Sequence, residues 1–166
     1  HALATWAGRA VPVGPALLID IGTTTTDLIP LLNGIPHPEG FTDLHRLAHS
    51  ELLYTGVRRT PVCAIVSEVP MLNETDSDAD DPTEPWRVRV AAELFATSLD
   101  VHLINRDIPE APQDRDTADG RPATRAAAMN RLAHVVCCDR DGISDLQLEQ
   151  IAEYIGDQQR TLISEA

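Results

Sequence analysis

The chain has 166 residues, a length typical of one domain, and 43% of them are apolar, which is enough for a hydrophobic core. Its formal net charge is −13, and all 13 basic residues are arginine. So acidic a chain is a poor nonspecific ligand of nucleic acid or anionic membranes, and without lysine it offers no Schiff base and no Walker-type lysine.

The sequence also predicts the class of ligand and the cellular compartment. No apolar run approaches the roughly 20 residues of a membrane-spanning helix, and no signal peptide is visible at the N-terminus. Cys63, Cys137 and Cys138 have no metal-ligand spacing and form no even set, which favours a reduced, cytoplasmic protein. We expect a small-molecule ligand, no nucleic-acid or membrane partner, and leave self-association open. The chain does not begin with methionine, and we interpret it as a fragment, a processed product or the ordered part of a longer protein.

The first predicted element is a hairpin. The apolar run 16–21 and the β-branched run from Thr25 to Leu32 predict two strands joined at Gly22–Thr24. Asn33-Gly34 predicts a turn into a further extended segment. Two more strands are predicted at 51–56 and 62–69.

The second half of the chain predicts mainly helices. The stretch 73–85 is acidic and aperiodic, and apolar spacing over 86–99 predicts a helix. Alternation predicts a strand at 100–105, and Pro, Asp and Gly predict a loop at 106–122. Thr124 predicts an N-cap, and Ser144 with Gln147 predicts a capping box before a last helix. This order indicates an α/β or α+β domain.

The hairpin turn carries the strongest chemical signal, in the sequence Asp20-Ile-Gly22-Thr-Thr-Thr-Thr-Asp27. Backbone N–H groups and hydroxyls of Gly22, Thr23, Thr24, Thr25 and Thr26 can bind phosphate oxygens. A carboxylate beside an anion makes sense when Mg²⁺ lies between them, so Asp20 is the predicted metal ligand. The alternative is a plain hairpin whose threonines merely suit a β surface.

This motif resembles the second phosphate-binding loop of the actin, Hsp70 and sugar-kinase superfamily, in its hydantoinase/oxoprolinase A-chain form. The blocks 51–62, 92–104 and 117–137 resemble, more narrowly, the synthase branch of methanofuran biosynthesis, linked in bacteria to tetrahydromethanopterin-dependent one-carbon transfer. The resemblance covers about 17–165, nearly the whole chain.

The resemblance implies a fold and a place within a larger molecule. It implies one lobe of an actin-like (ribonuclease H-like) α/β ATPase fold, with a mixed sheet and flanking helices. Residues 1–166 would form a single domain, the second lobe of a two-lobe protein. The first phosphate loop and the adenosine-side loop of complete members are absent from this sequence.

The same resemblance implies a transferase. It would join an aminomethylfuran diphosphate to the phenol oxygen of a glutamyl-tyramine, forming an aryl ether and releasing diphosphate. Asp20 with Mg²⁺ and the Gly22–Thr26 donors would stabilise the leaving group. Asp27 and Glu93 are candidates to accept the phenolic proton.

Four more residues are predicted to bind substrate. Arg58 and Arg59 could form a fork for a phosphate or a carboxylate, with a solvated surface pair as the alternative. Asp119 and Arg121 lie in a turn within one of the family-like blocks. The Asp-rich stretch 76–81 begins like a calcium loop but lacks its glycine and its last glutamate, so we interpret it as a solvated loop.

Two other functions stay open at the sequence level. One is an ATP-dependent hydantoinase/oxoprolinase-type hydrolase or a kinase, which would consume ATP. The other is a noncatalytic nucleotide-binding module. The small-molecule ligand would then be a nucleotide instead of an organic diphosphate.

Overall fold

The computed structural model describes residues 2–71 and 86–166, which fall into two compact units described separately below. Unit 1 comprises His1–Gly56 and Ile163–Ala166, and unit 2 comprises Val57–Leu162. The acidic stretch 73–85, with its calcium-like segment 76–81, lies outside the described residues. The expectation of one domain within a two-lobe protein stays a prediction.

Unit 1 is built on the predicted hairpin. Strand β1 (Pro15–Ile21) pairs with β2 (Thr26–Leu32) in an antiparallel register over seven residues, so the turn includes Thr25 as well as Gly22–Thr24. On its other side, β2 pairs with two short strands, β3 (Ile35–Pro36) and β4 (Leu52–Leu53). The predicted strand at 51–56 is therefore confirmed only for its two middle leucines.

The Asn33-Gly34 turn is confirmed, and both residues adopt positive φ, at 50° and 77°. This is the backbone geometry that favours Asn-Gly in two-residue hairpins. The turn also receives helix α1 (Ala2–Gly8) at close range. A Cβ on Gly8 would lie 2.0 Å from the Gly34 carbonyl oxygen, so a glycine is needed where the helix ends. Helix α2 (Asp43–Ala48) completes unit 1 and is capped by the Thr42 hydroxyl.

The described residues of unit 2 form four further α-helices and a second pair of antiparallel strands. They are α3 (Val62–Ile65), α4 (Ser98–Asn105), α5 (Arg125–Val135) and α6 (Asp145–Ser164, whose last two residues fall in unit 1), together with β5 (Glu68–Met71) and β6 (Trp86–Arg89). A short 3₁₀ turn at Arg140–Gly142 precedes α6. The two C-terminal helices are confirmed, including the capping box in which Ser144 and Gln147 exchange hydrogen bonds of 3.1 and 3.2 Å.

Three predictions for unit 2 were wrong. Residues 62–65 are helical where a strand was predicted, 86–89 form a strand where a helix was predicted, and 100–105 belong to α4. Thr97 explains the last case, because it forms a capping box with Asp100, whose carboxylate accepts the Thr97 N–H at 2.9 Å. Val101, Leu103 and Ile104 are then buried on the helix. A local cap and tertiary burial thus outweigh the short alternation that indicated a strand.

Within the described residues both sheets are antiparallel, so the predicted mixed sheet is not observed there. Tight turns connect neighbouring strands in unit 1, and parallel pairing would require long crossovers instead. The fold class of helices and sheets together is correct, whereas the actin-like lobe stays a prediction. In the part of the chain with described coordinates, no helix has the length and apolar character needed to cross a membrane.

A buried ion pair lies in the core of unit 2. The Arg131 side chain is 1% exposed and contacts Asp100, also 1% exposed, at 2.6 Å, and Asp119 at 2.9 Å. Burial alone would lower the pKa of Arg131, but the two carboxylates raise it, so the guanidinium stays charged. This pair joins α4, α5 and the loop that contains Asp119.

We predict that Arg131→Met lowers the free energy of unfolding by about 3–5 kcal/mol, because it leaves the Asp100 carboxylate buried without its counter-ion. The matched control is Arg160→Met, which removes an arginine from the exposed pair with Asp157 and should cost less than about 1 kcal/mol. Urea unfolding of both variants measures the difference. Equal costs would contradict a structural role for the buried pair.

Candidate functional site

The candidate site in unit 1 is organised by the β1–β2 register. Asp20 and Asp27 are direct cross-strand partners, so their side chains project from the same face of the hairpin. Both line a cavity of about 700 Å³. The other residues that line it come from α1, β2, β3 and α2 and from the segment between β3 and α2: Leu3, Ala4, Ile29, Pro36, His37, Pro38, Gly40, Phe41, Asp43 and Arg46.

The residues that line the cavity include one arginine, Arg46, and three aspartates, Asp20, Asp27 and Asp43. Arg46 donates to Asp27 Oδ1 at 2.6 Å and thereby offsets the repulsion between the two facing aspartates. Asp20 makes no ion pair with any residue that the structure describes. The net negative charge therefore suits a bound cation, and an anion would enter more readily with a metal ion.

Asp20 fits the predicted role of a magnesium ligand to a limited extent. Mg²⁺ commonly uses one or two carboxylates and completes its shell with water and substrate phosphates. Asp20 can supply one carboxylate, whereas Asp27 is already bonded to Arg46. Over residues 2–71 and 86–166 no group of three or more His, Cys, Asp or Glu side chains could hold a metal ion alone. Any Mg²⁺ here would depend on the substrate for ligands.

The turn from Gly22 to Thr25 closes the hairpin beside these carboxylates. The Gly22 N–H donates to the Thr25 carbonyl at 2.8 Å. The backbone N–H groups of Thr23, Thr24 and Thr25 make no hydrogen bond to another described residue. These three N–H groups are thus without a hydrogen-bond partner among the described residues, and their predicted role in phosphate binding stays a prediction.

Thr26 has a different position from the other predicted loop residues. It is fully buried, and its hydroxyl donates to the Thr55 carbonyl at 2.7 Å. Its side chain therefore fastens β2 to the segment 51–56, and the hydroxyl is used inside the protein.

The segment 51–56 also supports the turn from behind. A Cβ on Gly56 would lie 2.6 Å from the Gly22 carbonyl oxygen and 2.7 Å from the backbone of Thr23 and Thr24. Only glycine allows this approach without moving the turn. Gly56 thus packs directly against the backbone of Gly22, Thr23 and Thr24.

Glu51 was missed in the sequence and determines the shape of the cavity rim. Its carboxylate is buried and accepts the backbone N–H groups of Glu39 at 2.6 Å and Gly40 at 3.0 Å. Its carbonyl accepts from the Arg46 guanidinium at 2.9 Å. One residue therefore positions both the rim and the arginine that holds Asp27. The only sequence signal was an acidic residue beside two apolar ones.

The four predicted substrate-binding residues lie in unit 2, where the structure pairs them with neighbouring groups. Arg58 bonds Asp114 at 2.6 Å, and Arg59 bonds Asp116 at 3.1 Å. The Asp116 N–H and then the Arg58 guanidinium lower the pKa of Asp114. The stabilisation from the Arg58–Asp114 ion pair is therefore fully present above the ordinary aspartate pKa, about 4. It is lost as the pH falls through the lowered pKa of Asp114. A ligand anion would have to displace Asp114.

Asp119 and Arg121 contact each other in the same loop. Asp119 accepts the Arg121 N–H at 3.0 Å as well as the Arg131 guanidinium. Burial alone would raise the pKa of Asp119, but these two donors lower it. Glu93 is exposed in an irregular segment, where it accepts the Leu94 N–H at 3.3 Å. Within unit 2, these contacts give Asp119 a structural position and leave Glu93 open to solvent.

No protein-family model matches the chain. It is 35% identical over 128 residues to a Methanococcus vannielii protein named (4-{4-[2-(gamma-L-glutamylamino)ethyl]phenoxymethyl}furan-2-yl)methanamine synthase, a match that covers 77% of this chain and 52% of the relative. A protein of the same name from Methanocaldococcus jannaschii is 31% identical over 149 residues, with 90% and 41% covered. The chain thus spans about half the length of these curated relatives or less. These two relatives support the resemblance to the synthase branch. No family model supports the assignment to the hydantoinase/oxoprolinase family.

We predict that Glu51→Gln loosens the cavity rim, because an amide offers one acceptor oxygen in place of two for the Glu39 and Gly40 N–H groups. Leaving one buried donor unsatisfied should cost about 1–3 kcal/mol in the free energy of unfolding. Hydrogen exchange at the Glu39 and Gly40 amides should accelerate. Glu39→Gln, on an exposed side chain, is the control and should leave both measurements unchanged. Unaltered exchange in Glu51→Gln would contradict this role.

Proposed function

We propose that this chain is part of a synthase that forms a phenoxymethyl ether between a phenol and a furan methanamine. The phenol oxygen attacks the furan methylene carbon, the C–O bond to the diphosphate breaks, and diphosphate leaves with the electron pair. The phenolic proton passes to a carboxylate. The furan diphosphate and the glutamyl-tyramine are the two substrates in this scheme.

The observation that supports the proposal most directly is the Gly22–Thr25 turn beside Asp20 and Asp27. Thr23, Thr24 and Thr25 offer three N–H groups and three hydroxyls, next to strands that carry Asp20 and Asp27 into a cavity. Such donors stabilise the charge that develops on a departing diphosphate. The names of the two relatives contain an ether bond between a phenoxy and a methylene group, and this is the bond that the proposed reaction would form.

Each site residue has a proposed role. Asp20 would hold Mg²⁺, which when bound neutralises diphosphate oxygens. Arg46 uses Oδ1 of Asp27, and no described residue bonds the other oxygen, which is open to accept the phenolic proton. Glu93 is the second candidate for that proton, since its side chain faces solvent in unit 2. Arg58, Arg59, Asp119 and Arg121 would order the 106–124 loop or bind the acceptor.

The acidic cavity makes diphosphate binding dependent on the metal. We predict that inorganic diphosphate binds the chain in the presence of Mg²⁺ and much more weakly without it. Asp20→Asn should abolish the Mg²⁺-dependent part, whereas Asp43→Asn, in the same cavity, should retain it. Titration calorimetry with and without Mg²⁺ measures both. Equal binding by wild type and Asp20→Asn would remove Asp20 from the metal site.

The reaction itself distinguishes the proposal from its rivals. In the complete protein, replacement of Thr24 and Thr25 by valine keeps the β-branched shape and removes two hydroxyl donors. Loss of one oxyanion-type donor slows the chemical step about 10²–10³-fold, and we predict at least that effect on diphosphate release. Release should require both substrates and no ATP. Strict coupling to ATP hydrolysis would favour the hydantoinase-type hydrolase or kinase, and nucleotide binding without turnover would favour the noncatalytic module.

A further inference from the structure

A second cavity lies wholly within unit 2, between the C-terminal end of α4 and the exposed side of α6. Its volume is about 400 Å³. The residues that line it are Ile104, Asn105, Arg106, Asp107, Glu149, Glu153 and Arg160. None of these residues is a predicted site residue.

The junction of the two helices fixes one wall of this cavity. The Asn105 amide donates to the Ala152 carbonyl at 3.2 Å, which ties the last residue of α4 to α6. Gly156 lies one turn further along α6, where a Cβ would come within 3.0 Å of the Asn105 amide nitrogen. A larger residue at 156 would require the Asn105 amide to move by a few tenths of an ångström.

Most charged groups of the cavity have protein partners. Asp107 bonds His102 at 2.9 Å, Glu149 pairs with Arg125, and Arg160 pairs with Asp157. Arg106 and Glu153 are the exceptions among the described residues. Neither side chain has a hydrogen bond or an ion pair, and the two do not pair with each other. Both side chains are exposed, so this cavity presents a solvent-accessible guanidinium at the C-terminal end of α4 and a solvent-accessible carboxylate on α6.

The backbone at Arg106 adds an independent observation. Arg106 ends α4 with φ of 64°, in the left-handed region where glycine is usual, and its N–H bonds the His102 and Leu103 carbonyls. A side chain at this position is strained, and strain of this kind concentrates at functional sites. The arginine therefore places its guanidinium at the cavity although its backbone conformation is strained.

We propose that this cavity binds the head group of an α-amino acid, with Arg106 receiving the α-carboxylate and Glu153 receiving the α-ammonium. A guanidinium binds a carboxylate through two parallel N–H donors, and a carboxylate accepts from an ammonium. A ligand with only one of these charges would pair with only one of the two cavity groups. The zwitterion satisfies both at once.

The identity of the ligand rests on the proposed function. A γ-linked glutamyl group, as in the product names of the two relatives, keeps its α-ammonium and its α-carboxylate free. The cavity in unit 2 would then recognise a γ-glutamyl group through both charges of its head group. Binding of such a group should leave Mg²⁺-dependent diphosphate binding in unit 1 unchanged.

The test uses γ-L-glutamylethylamide as the probe, titrated into the chain by calorimetry. Two matched compounds serve as controls: the monoethylamide of glutaric acid, which lacks the ammonium, and N-ethyl-4-aminobutanamide, which lacks the carboxylate. We expect the glutamyl compound to bind at least about tenfold more tightly than either control, because one charged hydrogen bond is lost in each. No binding, or equal binding of all three compounds, overturns the proposal.

Two substitutions locate the binding in the cavity. Arg106→Asn tolerates the left-handed backbone and removes the guanidinium, and Glu153→Gln removes the negative charge. Each should weaken the probe about tenfold to a hundredfold, whereas Asp141→Asn, outside the cavity, should not. Probe binding unaltered in both variants overturns the assignment. Titration of the same samples with diphosphate separates the two proposals. In the wild-type chain, absence of probe binding with Mg²⁺-dependent diphosphate binding retained contradicts only the amino-acid site, and the opposite result contradicts only the diphosphate site.

Discussion

The register between β1 and β2 is the constraint on which the candidate site depends. Because successive side chains on a strand point to opposite faces, a slip of one residue would place Asp20 and Asp27 on different faces. The same register sets the length of the Gly22–Thr25 turn. It is maintained by seven consecutive residue pairs and by the Thr26 hydroxyl, which holds β2 against Thr55. The carboxylate pair and the N–H donors are thus two results of one pairing.

The register alone would bring two like charges together at a cost in stability. The structure offsets this cost with Arg46, which reaches Asp27 from α2 while it bonds the Glu51 carbonyl. Glu51 in turn holds the rim through the Glu39 and Gly40 N–H groups. A buried acid with two backbone donors is well satisfied, so it can define a fixed geometry without a cation of its own. Charge in this site is therefore distributed asymmetrically: Asp27 is paired with Arg46, whereas Asp20 has no ion pair among the described residues.

The sequence was sufficient wherever a local signal and the tertiary structure agree. The hairpin, the Asn33-Gly34 turn and the two C-terminal helices follow from turn chemistry and caps that act within a few residues. The helix α4 was missed because its alternation suggested a strand, although Thr97 and Asp100 already formed a capping box. The candidate site was predicted only in its contiguous part. Arg46 and Glu51 act across 19 and 12 residues of chain, and such contacts have no signature in one sequence.

Strand β1 has one unpaired edge among the described residues. Leu17, Ile19 and Ile21 are about half exposed, at 54%, 48% and 48%, and no described strand pairs with the other edge of β1. An open edge with aliphatic side chains is a template for strand addition by another chain. Two chains that joined in this way would extend the sheet at the hairpin that carries the acidic cavity. The free edge of β1 is therefore the place in unit 1 where strand addition would extend the sheet.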